Sequence, residues 1–416
     1  MNKQLFWNYL DNGKVELAKT LLDNFVQYNY DEEFYIKICD FFQESKDLKE
    51  LEIFCLSYMQ LTNKRKREIE PYSLTWAYYM HQLNSLDVWN QEKIDIEQDI
   101  LDSFEIVIPT YQRRDILIQT ILEIKNVNPS INIIISDNNS TDGTYEAVKE
   151  LTIKYPNIKI YKNEIKGEDI INFAANVYNA ITKTTKRYIH LISDTDPSIV
   201  KNLLSALLYM KENHITGLYP VKFRSKHYSF NEKLRFGAVK ERGASYHLLA
   251  TAGSYRSVFE WSGILYDGEL IRQYLAVLQK YIKGRGAVYF FVLPSFISQI
   301  FCKSEFYPYV LSYGKNDNTE RHIDKITNGE SVYWPADRWY QFKNMLFFLE
   351  DMKIYTKDNI QADKNLTQII TEVTKAIIPI CSSAAGSQFP RYRNNFLVVR
   401  KEFFDKVSQR LNKTNI

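Results

Sequence analysis

Asp194 and Asp196 stand two apart directly behind an apolar run, in the stretch LISDTD at 191–196. Two carboxylates at that spacing beyond a strand offer hard oxygen ligands to Mg²⁺ or Mn²⁺. Such a cation keeps some waters and shares its other positions with substrate phosphates. It makes a diphosphate a good leaving group by neutralising charge as it develops. Two more polar clusters follow apolar runs upstream: PTYQRR at 109–114 and ISDNNSTDGT at 135–144. Asp137, at the end of the second run, is placed to accept hydrogen bonds from a base or ribose. Each cluster also has a simpler reading. Asp142 and Asp196 suit helix caps, and Asp137 and Asn138 suit a turn. There is no GxxxxGK[ST] loop and no GxGxxG after a strand, so no glycine loop is expected to cradle a phosphate.

The elements that must position these residues are legible as alternation. Residues 104–109, 131–136, 158–161 and 188–193 are short apolar runs that read as strands. Between them, 113–126, 142–155 and 169–183 carry apolar stripes at three- and four-residue spacing, as in Ile116, Leu117, Thr120, Ile121 and Ile124. Pro197 is expected to open a further helix. Strands alternating with amphipathic helices predict a mostly parallel sheet with helices on both faces. Ligands bind such sheets beyond the carboxyl ends of the strands, where all three polar clusters fall.

The three blocks, in this order and spacing, resemble the nucleotide-sugar glycosyltransferases of family 2. They are most similar to the subgroup that builds bacterial surface polysaccharides, such as abequosyltransferase-like enzymes. The resemblance covers 104–225 and extends loosely to about 300. It implies an α/β, Rossmann-like GT-A fold at 101–310; the ends it does not cover read, from their spacing, as a helical N-terminal domain at 1–100 and a helical C-terminal extension at 311–416. It also implies a cytoplasmic enzyme, at the cytoplasmic face of the inner membrane, that moves a sugar from a nucleotide-diphosphate donor to a hydroxyl of a surface glycan, free or lipid-linked. Metal dependence and inversion are expected with it. Pro109, Thr110 and Tyr111 would lie against nucleobase and ribose, Asp137 and Asn139 would face the nucleotide, and Arg113 or Arg114 would reach a phosphate. Asp194 and Asp196 would hold the Mn²⁺ or Mg²⁺. The block GEDIINF at 167–173 adds Asp169 and Asn172 to the donor side, with a spacing that departs from the family's pattern.

On the acceptor side, EWSGILY at 260–266 resembles the family's strand containing Ser-Gly. Gly263 would admit a sugar close to the backbone. Ser262 would border it, and Trp261 would stack on a sugar or pack in the core. The base that takes the acceptor proton would be a carboxylate. Glu260, Asp267 and Glu269 are candidates, with Asp267 also readable as a helix cap, and His247 is a weaker one. The family's downstream Glu-Asp motif has no convincing copy here. That leaves room for a catalytically silent binding or scaffold protein, or for transfer of another nucleotide-activated group on the same scaffold. A nucleotidyltransferase would be expected to carry a glycine where PTYQRR has none.

The ends read as helical. Stripes at 14–26, 31–42 and 48–61, and again at 339–352 and 367–378, have helical spacing. From residue 386 onward seven basic residues face two acidic ones among interleaved phenylalanines, a pattern suited either to an anionic membrane surface or to a helix solvated on a protein core. Composition excludes other classes. The net charge of +3 is too small and too dispersed for a nucleic-acid binder. The 4 cysteines form no CxxC pair, which argues against a zinc site or disulfide framework and fits a reducing compartment. No run approaches the roughly 20 apolar residues of a membrane span. The N-terminus has no long apolar core ahead of its charges, so no secretory signal is expected.

Overall fold

The computed structural model of the chain describes residues 3–12, 92–165, 172–223, 262–284, 290–301, 303–313 and 335–385, with scattered positions between 14 and 42 and residue 287. After α1 (Lys3–Asp11) and α2 (Gln98–Ser103) the chain enters β1 (Phe104–Thr110), α3 (Arg114–Val127) and β2 (Ile133–Asp137). It continues through α4 (Thr144–Lys154), β3 (Ile158–Lys162), α5 (Phe173–Thr182), β4 (Tyr188–Leu191), α6 (Val200–Asn213) and β5 (Ile215–Phe223). Then come β6 (Ile264–Asp267), α7 (Gly268–Gln273), α8 (Leu275–Leu278), a 3₁₀ turn (Gln279–Tyr281), α9 (Val292–Phe301), β7 (Lys303–Tyr313), α10 (Pro335–Thr356) and α11 (Ile360–Ala385).

The 7 described strands form one sheet in the order β3-β2-β1-β4-β6-β5-β7. β3, β2, β1 and β4 run parallel, β6 runs against both its neighbours, and β7 runs parallel to β5. The mostly parallel α/β sheet read from the alternation is therefore present. The central strands are buried on both faces, and their period of two sorts them into two cores. Phe104, Ile106 and Ile108 of β1, with Ile133 and Ile135 of β2, pack on α3, α4 and α6. Val107, Ile134, Ile189, Leu191 and Tyr266 face the other way, onto α5 and α9. The second core continues into Phe348, Leu349 and Met352 of α10 and Leu366 and Ile369 of α11.

That continuity redraws two expectations. The division at 310 falls inside β7, which is hydrogen-bonded along β5, and the C-terminal helix pair shares the core of the sheet. Pro197 does not open a helix. α6 starts at Val200, because the residues before it are spent on β7: Ile199 N–H donates to Leu311 O at 2.8 Å, and Ser198 bridges Ser312. The stripes at 14–61 and the basic segment from 386 lie largely or wholly outside the described residues. No described helix is long and apolar enough to cross a membrane.

At the edge of the sheet opposite the carboxyl ends, α7 leaves β6 through Gly268. A side-chain carbon there would meet Arg187 O at 3.1 Å, Ile189 Cγ2 at 3.0 Å and Arg272 Nη1 at 2.8 Å. That guanidinium is itself engaged, donating to Thr184 Oγ1 at 3.1 Å and Lys186 O at 2.9 Å. Alanine gains about 1 kcal/mol of helix propensity over glycine, but overpacking against backbone costs roughly 1–3 kcal/mol. Gly268→Ala should therefore lower the denaturant midpoint, and an unchanged or raised midpoint would refute this packing.

Candidate active site

Because β1, β2 and β4 are parallel, their carboxyl ends form one rim. Thr110 sits beside Asp137 in the ladder, and Pro109 beside Ser136. Asn176, buried on α5, ties the two strand ends together. Its Nδ2 donates to Thr110 O and Ser136 O, both at 3.1 Å, and its Oδ1 accepts from Ser136 Oγ at 2.7 Å. Asn179 completes the group by donating to Ser136 Oγ at 2.8 Å.

The third strand end is bound to the first. Asp194 is only 8 % exposed, and its Oδ2 accepts from Thr110 Oγ1 at 2.8 Å. Its Oδ1 accepts from Ser193 Oγ at 3.2 Å, and its backbone carbonyl accepts from Thr120 Oγ1 at 2.7 Å. Burial pushes the Asp194 carboxyl up. The positive charge of Arg113 and the hydrogen bonds from Thr110 and Ser193 pull it partly back, and Asp196 adds to the rise. Asp196, half-buried on the same turn, donates its N–H to Ser193 O at 3.0 Å and accepts from Thr195 Oγ1 at 2.8 Å.

The loop after β2 is built by its own polar residues. Asp137 is fully buried, and both its oxygens accept from Ser140, Oδ2 from the N–H at 3.0 Å and Oδ1 from the hydroxyl at 2.5 Å. Burial raises its pKa against those bonds and the nearby Lys162 charge. Gln112 N–H donates to Ser140 Oγ at 2.9 Å, which joins this loop to the one after β1. Asp142 accepts from Arg114 N–H at 3.1 Å and Thr144 N–H at 3.0 Å, so one carboxylate serves the starts of α3 and α4. Burial would raise its pKa, but the bonds from Thr144 and Arg114 outweigh this and lower it. The cap reading of Asp142 thus describes its contacts. Gln112, Asn139 and Asn172 all have positive φ (54°, 59° and 50°). Left-handed backbone at non-glycine residues is costly and tends to gather at functional sites.

The other expected residues fall into place or away from it. Tyr111 and Arg113 are half-buried on the rim loop, and the Arg113 charge acts on Asp194. Arg114 is exposed and pairs with Asp115 at 2.9 Å, which separates the two arginines. Exposed Asn139 donates to Asn163 O at 2.8 Å, and Asn172 donates to Asn138 Oδ1 at 3.2 Å. Ser262 Oγ accepts from Ser193 N–H at 2.8 Å, and Gly263 donates to Leu191 O at 2.7 Å. Gly263 has φ +83°, which a glycine adopts without strain. Ser262 and Gly263 therefore adjoin the Asp194 turn.

Asp267 and Glu269 are not brought to the rim. β6 is antiparallel, so its end pairs with the beginning of β4, Asp267 opposite Tyr188. There Asp267 caps α7 by accepting from Leu270 N–H at 3.1 Å and lies 3.6 Å from Arg187 Nε, and Glu269 is exposed beside it. Asp169, Glu260, Trp261 and His247 lie outside the described residues. Thr120, Ser140 and Asn176 were not singled out from sequence. Their signal was a polar residue inside an apolar stripe, or a serine in a turn, which non-local partners alone make meaningful.

The oxygen donors fit a hard divalent cation. Two carboxylates share one turn, hydroxyls bond to both, and burial disfavours the Asp194 charge despite Arg113 and the bonds from Thr110 and Ser193. Among the described residues no three His, Cys, Asp or Glu side chains gather into a metal-holding group.

Residues 105–236 match the family model described as glycosyl transferase family 2. No curated protein matches the sequence. Solved structures of similar fold include S. aureus TarS 1-349, 11 % identical over 75 % of this chain and 82 % of that one, with a TM-score of 0.50. The same protein in complex with UDP-GlcNAc gives 11 % identity over 72 % and 80 %, with a TM-score of 0.51. The Pyrobaculum calidifontis mannosyltransferase PcManGT, in complex with GDP-Man and Mn²⁺, is 13 % identical over 86 % and 99 %, with a TM-score of 0.40.

Proposed function

We propose that this chain, whose residues 105–236 match the family 2 glycosyl transferase model, moves a sugar from a nucleoside-diphosphate donor to a hydroxyl of a bacterial surface glycan. One observation carries the reading. Three polar strand ends, far apart in sequence, are hydrogen-bonded into a single rim that ends in the Asp194–Asp196 turn. The ISDNNSTDGT block supports a place near the abequosyltransferase-like enzymes.

The loops after β1 and β2 hold the nucleoside, with Tyr111 and Asn139 at their surface. Arg113 faces the diphosphate. Asp194 and Asp196 would hold Mn²⁺ or Mg²⁺, which when bound would supply charge neutralisation on the departing diphosphate. Ser262 and Gly263 border the sugar next to that turn. The reaction is a direct displacement with inversion. The acceptor oxygen bonds to the anomeric carbon, the carbon–phosphate oxygen bond breaks, and the diphosphate leaves with the electron pair. The acceptor proton passes to a carboxylate. Asp267 and Glu269 lie at the opposite edge of the sheet, so Glu260 is the candidate base this reading keeps.

Incubation with a panel of sugar nucleotides and Mn²⁺ tests this reading. One donor should release its nucleoside diphosphate, faster when a glycan acceptor is added. A folded protein that neither cleaves nor binds any sugar nucleotide would instead favour the silent scaffold. Release from an activated donor that is not a sugar would favour the transferase of another group.

A further inference from the structure

We propose that Thr110 and Thr120 are positioning residues that clamp Asp194, and that Thr110 is not a donor contact; the functional part of this rests on the donor-site reading above. Thr110 is 2 % exposed and its one hydroxyl proton is spent on Asp194 Oδ2. Its carbonyl is also held, accepting from Asn138 N–H at 3.0 Å and Asn176 Nδ2 at 3.1 Å. Little of it is left to meet a nucleoside. Thr120 lies on α3, where a threonine hydroxyl ordinarily bonds back to its own helix. Instead it donates across to Asp194 O at 2.7 Å, 74 residues along the chain.

Besides the bond from its neighbour Ser193, Asp194 is therefore gripped from two other elements, at its carbonyl from α3 and at its carboxylate from β1. The first grip sets the height of the turn above the sheet, and the second sets the rotamer. A carboxylate held by an outer hydrogen bond binds a cation in one orientation, and losing such a partner typically costs 10- to 100-fold in affinity. Valine has the shape of threonine without the hydroxyl, so Thr110→Val leaves a buried carboxylate oxygen unmatched while filling the same space. Serine restores the hydroxyl without the methyl.

The test uses the full chain with two readouts. One is amide hydrogen exchange over 193–196 without ligand. The other is calorimetric affinity for UDP and GDP in Mn²⁺. Thr110→Val should speed exchange in that turn and weaken Mn²⁺-dependent nucleotide binding about 10- to 100-fold, with Thr110→Ser returning both close to wild type. Thr120→Val should speed exchange in the same turn. The clamp is overturned if exchange is unchanged, since weakened binding alone would make Thr110 a direct donor contact. It is also overturned if serine fails to rescue. If Thr110→Val loosens the turn and serine tightens it, but wild type binds no nucleotide with Mn²⁺, the clamp stands and the donor reading falls.

Discussion

Asp194→Asn should reduce sugar transfer by about 10³-fold or more while leaving the protein at least as stable as wild type. The two halves of that expectation have one cause. The amide keeps the shape and can still accept the Thr110 hydrogen bond through its oxygen. It removes the charge that would hold a divalent cation. That charge is costly where it lies, because burial pushes the Asp194 carboxyl up despite the nearby Arg113. Above its unfolded pKa of 3.8, a carboxylate whose folded pKa is raised detracts from stability, so neutralising it relieves the fold. Turnover and thermal midpoint should move in opposite directions. Activity within tenfold of wild type would remove Asp194 from the chemistry, and a large fall in midpoint would refute the cost assigned to its buried charge.

Lys125→Met should destabilise the protein by about 2–5 kcal/mol, and by more at pH 9 than at pH 7. Lys125 is buried at the end of α3, far from the rim. Its Nζ donates to Pro129 O at 3.0 Å, Ile131 O at 2.5 Å and Asn157 Oδ1 at 2.8 Å. Methionine fills the space but leaves buried oxygens unmatched. Burial lowers the Lys125 pKa from 10.5 to about 7. Between those values the unfolded chain keeps a proton that the folded chain releases, leaving a neutral amine with two N–H donors for the three oxygens. Wild type therefore gains stability from this group as pH rises from about 7 toward 10, by at most about 1.4 kcal/mol per unit, and loses that contribution below about 7. The methionine variant lacks this slope. Parallel pH–stability curves for the two proteins would show that Lys125 does not titrate in this way.

The central strands and helices were legible because one local signal, apolar period, coincides with burial on both faces of a parallel sheet. The rim was legible for a second reason, since ligand sites follow strand ends wherever the sheet is parallel. Both rules fail at β6. Its four residues ILYD carry no direction in their pattern, so Asp267 could be read as a rim carboxylate until the antiparallel pairing with β4 moved it to the opposite edge. Pro197 misled for a related reason: a long-range bridge to β7 takes up the residues that would have started the helix. Asn176 and Thr120 were invisible because their meaning lies wholly in partners 40 to 74 residues away.

The most direct test of the donor rim is a thermal-shift screen of nucleoside diphosphates with and without Mn²⁺, on wild type and on Asp194→Ala/Asp196→Ala. A nucleotide present at 100 times its dissociation constant should stabilise the folded protein by about 2.7 kcal/mol. The account predicts such a shift for one base, only with the cation, and its loss in the double variant. A shift that survives both substitutions, or none with any nucleotide in a folded protein, would contradict it.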